Sequence, residues 1–195
     1  NIDVSDFYTG NSSTGGTATV YLWFRTGTNY VGSGGGNGPL ISFAGYDLNV
    51  FFQSGNLTLF AADDDGGDSV YCPAASSTGD QYAYTALEGD NWYFFVGSIN
   101  NTGSTVDIPA NTARTFVAKG DGTGTAELLN TFASVSTPAS FEFQNTDGDL
   151  QIGSLTGNGW YFNGEIGPIL YYNDCHTEQE RVHTYQIYRH RYQPT

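Results

Sequence analysis

The chain has no methionine and a single lysine, Lys119, and charged residues occupy only 13% of its 195 positions. Soluble domains usually carry ~25%. The missing methionine gives the expectation that a leader was removed before Asn1. No apolar run approaches the roughly 18 residues of a membrane span, so none is expected. Six basic side chains face 20 acidic ones, a net charge of −14. That excludes nucleic acid as a partner, because neutralising phosphates requires clustered Lys and Arg. Gly-x-Ser-x-Gly, phosphate-loop, His-Glu-x-x-His and Cys-x-x-Cys patterns are also missing, so no catalytic residue is assigned and no enzyme is expected. Cysteine is scarce, with only Cys72 and Cys175. An even pair in a chain that reads as secreted implies a disulfide. It would close a loop of about 100 residues.

Glycine (26), tyrosine (14) and phenylalanine (13) fill the space that charge leaves. Such a mixture suits many short strands joined by turns. Period-two alternation is clear in TATVYLWFRT (17–26), where Val20, Leu22 and Phe24 point one way and Tyr21, Trp23 and Arg25 the other. DLNVFFQ and NLTLFAA flank a Ser-Gly turn and read as a hairpin. Further strands are expected in PLISFAG, NWYFFVGSI, STVDI, RTFVAK, SFEF, DLQIG and EIGPILYYN, and a long loop from Asp63 to Gly89. Pro168 marks an edge or a bulge. Thr177-Glu178-Gln179-Glu180 is a capping box that opens a helix over about 177–190, with Val182, Tyr185 and Ile187 or Tyr188 facing inward. About a dozen strands at this spacing, without repeats or a linker, indicate one all-β domain over 1–195, a two-sheet antiparallel sandwich closed by a short helix.

Four stretches carry a family resemblance: TATVYLWFRT, LEGDNWYFFVGSI with Trp92, GDLQIG, and YFNGEIGPILYYNDCHTEQE. Together they resemble the laminin-G-like branch of the concanavalin A-like lectin/glucanase superfamily. The likeness implies a jelly roll whose closing strand and helix are the last of these stretches, with Cys175 clipping that junction to the long loop. Gly167-Pro168 departs from the family pattern. Some members cleave polysaccharides with a Glu-x-Asp-x-x-Glu strand, which places the acids on one face for general acid and nucleophile roles. The glutamates of this chain show no such spacing.

Several residues are singled out for binding. Asp63, Asp64, Asp65 and Asp68 crowd one glycine-containing loop, either a solvated acidic loop or a Ca²⁺ site, since hard carboxylate oxygens suit that ion. His176, His183 and His190 recur every seven residues and read as surface histidines rather than a zinc site. Tyr30, Tyr46, Tyr82, Tyr84, Trp160 and Tyr161 are loop-placed aromatics able to stack on sugar faces. Asn11, Asn56 and Asn100 begin N-x-Ser/Thr sequons, about as many as chance gives. The last twenty residues hold three arginines against two glutamates, leaving three basic and 18 acidic side chains to the rest. Arg181, Arg189, Arg191, Tyr188 and Tyr192 are therefore candidates for docking on an acidic body, its own or a neighbour's. The expected role is a secreted, extracellular structural or adhesive module that contacts itself, as an oligomer or filament, or an extracellular glycan or protein. The alternative is a lectin-like carbohydrate-binding module, with Ca²⁺ as its one candidate cofactor.

Overall fold

The computed structural model describes residues 17–27, 38–43, 48–53, 56–62, 69–72, 89–101, 107–120, 131–137, 149–155 and 160–192. In chain order the strands are β1 (Thr17–Thr26), β2 (Gly38–Phe43), β3 (Leu48–Gln53), β4 (Asn56–Ala62), β5 (Ser69–Cys72) and β6 (Trp92–Asn100). Then come β7 (Thr112–Lys119), β8 (Thr131–Ser136), β9 (Gln151–Ile152), β10 (Ser154–Leu155), β11 (Trp160–Tyr161) and β12 (Gly164–Tyr172), followed by helix α1 (Glu178–Tyr192). They form an antiparallel jelly-roll sandwich of two five-stranded sheets, β12-β1-β6-β7-β8 and β5-β4-β3-β2-β9, with β10-β11 as a separate two-stranded ladder.

The alternation in β1 settles which way each side chain points. Val20, Leu22 and Phe24 enter the sandwich interior with Leu40, Val50, Phe52, Leu59, Tyr93 and Phe95. Tyr21 and Trp23 point the opposite way and join Phe94, Val96, Ile108, Phe116 and Tyr185 in a second cluster. An antiparallel sheet with one wet face would show polar residues there. Here the outer face of the first sheet is aromatic because α1 lies across it.

The hairpin expected at 47–62 is present, with Gln53 paired to Asn56. The loop expected over 63–89 contains β5, which pairs with β4 through Leu59 and Cys72. β8 adds a strand that the sequence pattern does not announce, and SFEF lies outside the described residues. Of the strand expected at STVDI, Asp107 and Ile108 form a bend instead, with Ile108 buried in the second cluster.

Pro168 sits where β12 slips against β1: Ile166 pairs with Phe24 and Ile169 with Leu22, so Gly167 and Pro168 together oppose Trp23. This is a bulge on an edge strand, the place where a residue without an N–H is tolerated. Gly167 is required there for a second reason. A Cβ on it would lie 3.0 Å from the Trp23 Cβ and 3.2 Å from Cζ of Tyr192, the last residue of α1. The missing side chain at Gly167 makes room for the end of the helix.

The expected disulfide is absent, and the sheet itself is the reason. Cys72 belongs to the interior cluster, with its Sγ 3.5 Å from the Ala113 carbonyl and 3.9 Å from Thr115 Oγ1. Cys175 belongs to the cluster on the far side of the β1-β6-β7 layer. Two thiols on opposite faces of a sheet cannot approach within bonding geometry.

Candidate functional site

Two places concentrate chemistry-bearing side chains: the clasp beneath α1 and the rim at β9–β11. The clasp begins with the capping box that the sequence announces. The Thr177 N–H donates to Glu180 Oε2 at 2.8 Å, and the Glu180 N–H donates to Thr177 Oγ1 at 3.3 Å. The Thr177 hydroxyl also donates to Glu180 Oε2 at 2.8 Å, and the two bonds to the carboxyl, the backbone one foremost, hold it below its usual range. Asp107 accepts the N–H of Glu178, the first residue of α1. One turn along, Arg181 is only 3% exposed. Its Nη1 donates to the His176 carbonyl at 2.5 Å, its Nη2 lies 3.5 Å from Asp107, and its guanidinium rests 4.2 Å over the Phe116 ring.

His176, at the hinge between β12 and α1, is tied on several sides. Its N–H donates to Thr19 Oγ1 at 3.1 Å, and its Nδ1 lies 2.7 Å from the Tyr21 hydroxyl. Its ring packs against Tyr172, with centroids 4.3 Å apart. Burial lowers the imidazole pKa, outweighing Glu180 and Asp174, which raise it. Burial also raises the pKa of the Tyr21 hydroxyl and pushes the Cys175 thiol up to about 11. At neutral pH the thiol and the phenol keep their protons and the imidazole is neutral. None of these groups is poised as a nucleophile; the arrangement fastens a helix. At its other end α1 is held by aromatic stacking, with Tyr185 and Tyr192 on Trp23 at 5.7 Å and 5.0 Å and Tyr192 on Trp92 at 4.6 Å.

Of the two bodies on which the tail was expected to dock, its own or a neighbour's, three of its residues meet the chain's own. Arg181 is buried, while Tyr188 and Tyr192 pack against the second cluster, so the tail docks on its own sheet. The inward stripe is Arg181, Thr184 and Tyr185, continued by Tyr188 and Tyr192, and Ile187 is exposed. Arg189 is half-buried and Arg191 exposed. His183 and His190 are exposed, whereas His176 is half-buried.

The rim is built by close backbone approach. Gly153, at φ 71°, adopts the left-handed conformation that glycine tolerates. Its N–H donates to the Leu40 carbonyl at 3.1 Å, and its carbonyl accepts the Phe162 N–H at 2.8 Å. Phe162 drops inward, stacked on Phe52 at 6.0 Å and edge-on to Phe24 at 6.2 Å. With the backbone so fixed, Ile152 is 51% and Tyr161 73% exposed, and Trp160 is half-buried. Tyr161 pairs with Ser154 across β10–β11, which sets a hydroxyl on the same face as the ring. Of the aromatics proposed for glycan contact, Tyr161 offers its ring to solvent; Tyr30, Tyr46, Tyr82 and Tyr84 lie outside the described residues.

Asp63, Asp64, Asp65, Asp68 and Asn11 also lie outside the described residues. Among the described residues no group of three or more His, Cys, Asp or Glu side chains converges on a metal position. Asn56 is the first residue of β4. Asn100 is fully buried and its Nδ2 donates to the Ile108 carbonyl at 2.7 Å, so this sequon cannot carry a glycan in the folded chain. No helix among the described residues is long and apolar enough to cross a membrane.

Sequence comparison finds no matching protein-family model and no matching curated protein. Solved structures do match. The botulinum neurotoxin serotype C1 binding domain superposes with a TM-score of 0.53 at 9% identity, over 90% of this chain and 37% of that one. The receptor binding domain of botulinum neurotoxin D gives 0.52 at 10% identity, over 91% and 39%. NanB plus Optactamide gives 0.54 at 18% identity, over 93% and 26%. This chain thus spans well under half the length of each, and identities this low establish a shared β-sandwich fold.

Proposed function

We propose that this chain is a non-catalytic, secreted adhesive module that binds an extracellular glycan through the β9–β11 rim. The observation that carries the reading is Tyr161: a largely exposed ring on a backbone locked by hydrogen bonds, with the Ser154 hydroxyl on the same face. A pyranose face fits such a platform, because a rigid ring contributes contact area at little entropic cost and a neighbouring hydroxyl orients the sugar. Two further points support it. Arg181, Tyr188 and Tyr192, central to a filament reading, are committed within the chain. The neurotoxin structures that share the fold are described as binding domains. Membership of the laminin-G-like branch and a calcium requirement belong to the same proposal.

The test is a glycan array with the wild-type chain and Tyr161→Ala, each with and without chelator. Binding to a defined set of sugars, weakened at least about tenfold in the variant, is the expected result; tenfold corresponds to about 1.4 kcal/mol. Loss with chelator would bring calcium into the site. Uniformly flat binding would overturn the glycan reading. Concentration-dependent self-association in sedimentation, abolished by the same substitution, would make a second copy of the chain the occupant of the rim.

A further inference from the structure

We propose that His176 is the switch of an acid-sensitive clasp, and that its protonation releases α1 from the outer face of the first sheet while the sandwich stays folded. Three geometric facts converge on this.

The first is the position of His176. It is a hinge residue whose main chain is held by Thr19 on β1 and by Arg181 on α1, and whose ring nitrogen faces the Tyr21 hydroxyl. We assign Nδ1 as the acceptor and the tyrosine as the donor. A proton on that nitrogen would set N–H against O–H, and the phenol would have to turn away or become the acceptor.

The second is the charge around it. From α1, His176 faces the Arg181 guanidinium, which burial leaves poorly solvated, and the exposed Glu180, already engaged in capping. From β1 it faces Tyr21, and from the end of β12 Tyr172 and then Asp174. Asp107 lies on the opposite flank of Arg181. Glu180 and Asp174 are exposed and favour a cation here, Arg181 opposes it, and burial of the ring outweighs the two carboxylates.

The third is the two-sided packing of the first sheet. Val20, Leu22, Phe24, Tyr93 and Phe95 close an interior that α1 does not enter, so losing the helix leaves that core intact. What release would uncover is Tyr21, Trp23 and Phe94. A helix packed on one outer face, outside the main core, can open locally while the sheets stay closed.

The sign of the effect follows from burial, which lowers the histidine pKa in the docked form. The docked form binds fewer protons than the released one. Docking is therefore fully stable above the ordinary histidine value of ~6.5. It weakens as pH falls below that value, until the docked-state pKa is reached. One proton taken up per release changes the opening equilibrium by about tenfold per pH unit within that window.

Hydrogen exchange of the full chain between pH 7.5 and 5, corrected for intrinsic rates, tests it. Amides of residues 178–192 are expected to keep their protection down to about pH 6.5 and to lose it below that, at up to about tenfold per pH unit, while those of β1 and β6 keep theirs. His176→Gln is expected to flatten the response; the double variant His183→Gln/His190→Gln is expected to leave it unchanged. Loss of α1 and sheet protection together, or an unchanged response in His176→Gln, would overturn the clasp. Should His176→Gln not fold, an NMR titration of His176 in the wild-type chain decides: titration without movement of the 178–192 amides would sink it equally.

Discussion

Arg181 poses the sharpest energetic question, because three attractions and one penalty meet in one buried guanidinium. The hydrogen bond to the His176 carbonyl is charge-assisted and of a kind worth about 1.5–3 kcal/mol. The contact with the Phe116 ring adds about 0.5–2 kcal/mol. The pair with Asp107 is long, at 3.5 Å, and Asp107 is 46% exposed, so solvent screening holds that attraction to about 1 kcal/mol or less. Against these stands desolvation, several kcal/mol for a buried ion. The charge and its penalty therefore nearly cancel, and the aliphatic stem remains as packing. Three substitutions separate these contributions. Asp107→Asn, which keeps an acceptor for the Glu178 N–H, should cost less than about 1 kcal/mol. Arg181→Met, which keeps most of the stem and removes the charge with its penalty, should cost about 1 kcal/mol. Arg181→Ala, which also opens a cavity beside Phe116, should cost about 2–4 kcal/mol. Urea unfolding followed by near-UV circular dichroism reads these values, since Tyr21, Trp23, Tyr185 and Tyr192 form the aromatic stack that would be disturbed. In melting temperature the alanine variant should fall by roughly 4–16 °C at 2–4 °C per kcal/mol. If Asp107→Asn proved as costly as Arg181→Ala, the ion pair would outweigh the packing of the stem and the near-cancellation of charge and penalty would be refuted.

Gly167→Ala should destabilise the chain by about 1–3 kcal/mol, because the added methyl meets the Trp23 Cβ at 3.0 Å and the Tyr192 ring at 3.2 Å. Tyr192→Ala introduced into that variant should recover part of the loss; a fully additive double variant in chemical denaturation would contradict the proposed contact. Both cysteines should behave as buried thiols, unreactive towards a disulfide reagent in the native chain and fully reactive after denaturation. An intact mass lower by two hydrogens than the reduced sequence would instead establish the bridge that the sheet is argued to forbid.

What was legible in the sequence was local. The alternation in β1 announced both of its faces, the hairpin closed where its turn residues lay, and Thr177 to Glu180 opened α1 as written. What was not legible depended on long-range pairing. Cysteine number and apparent compartment suggest a bridge, but they do not say on which side of a sheet each thiol falls. Tyr21 and His176 are 155 residues apart, so no local pattern couples them. Arg181 did carry a readable signal: it falls in the same helical stripe as Tyr185, Tyr188 and Tyr192, at spacings of four, seven and eleven. An arginine in an otherwise aromatic stripe could have been taken as buried by its stem and paired at its head. Charge left open whether the tail docks on its own body or a neighbour's, because net balance over a segment ignores which face bears it.

The two sheets also constrain where this chain can meet a partner. The outer face of the first sheet is occupied by α1, whose aromatic stripe fills it from Tyr185 to Tyr192. On the second sheet, Ser42, Asn49, Phe60 and Tyr71 succeed one another across β2 to β5 as register partners, all directed away from the interior. Yet Ser42, Asn49 and Phe60 are buried, so this row is not offered to solvent. At the edges, Pro168 and its bulge interrupt β12, and β9 is only two residues long, which leaves little template for an added strand. Both broad faces and both of these edges are thereby poor places for a contact. The large hydrophobic side chains that remain outward among the described residues are Ile152, Tyr161, Tyr172 and Ile187. Tyr172 packs against His176 and Ile187 rides on a helix that the clasp can release. Ile152 and Tyr161 alone of these four stand on backbone pinned to the sandwich, and rigidity of the presenting backbone is what lets a shallow contact bind without a large ordering cost.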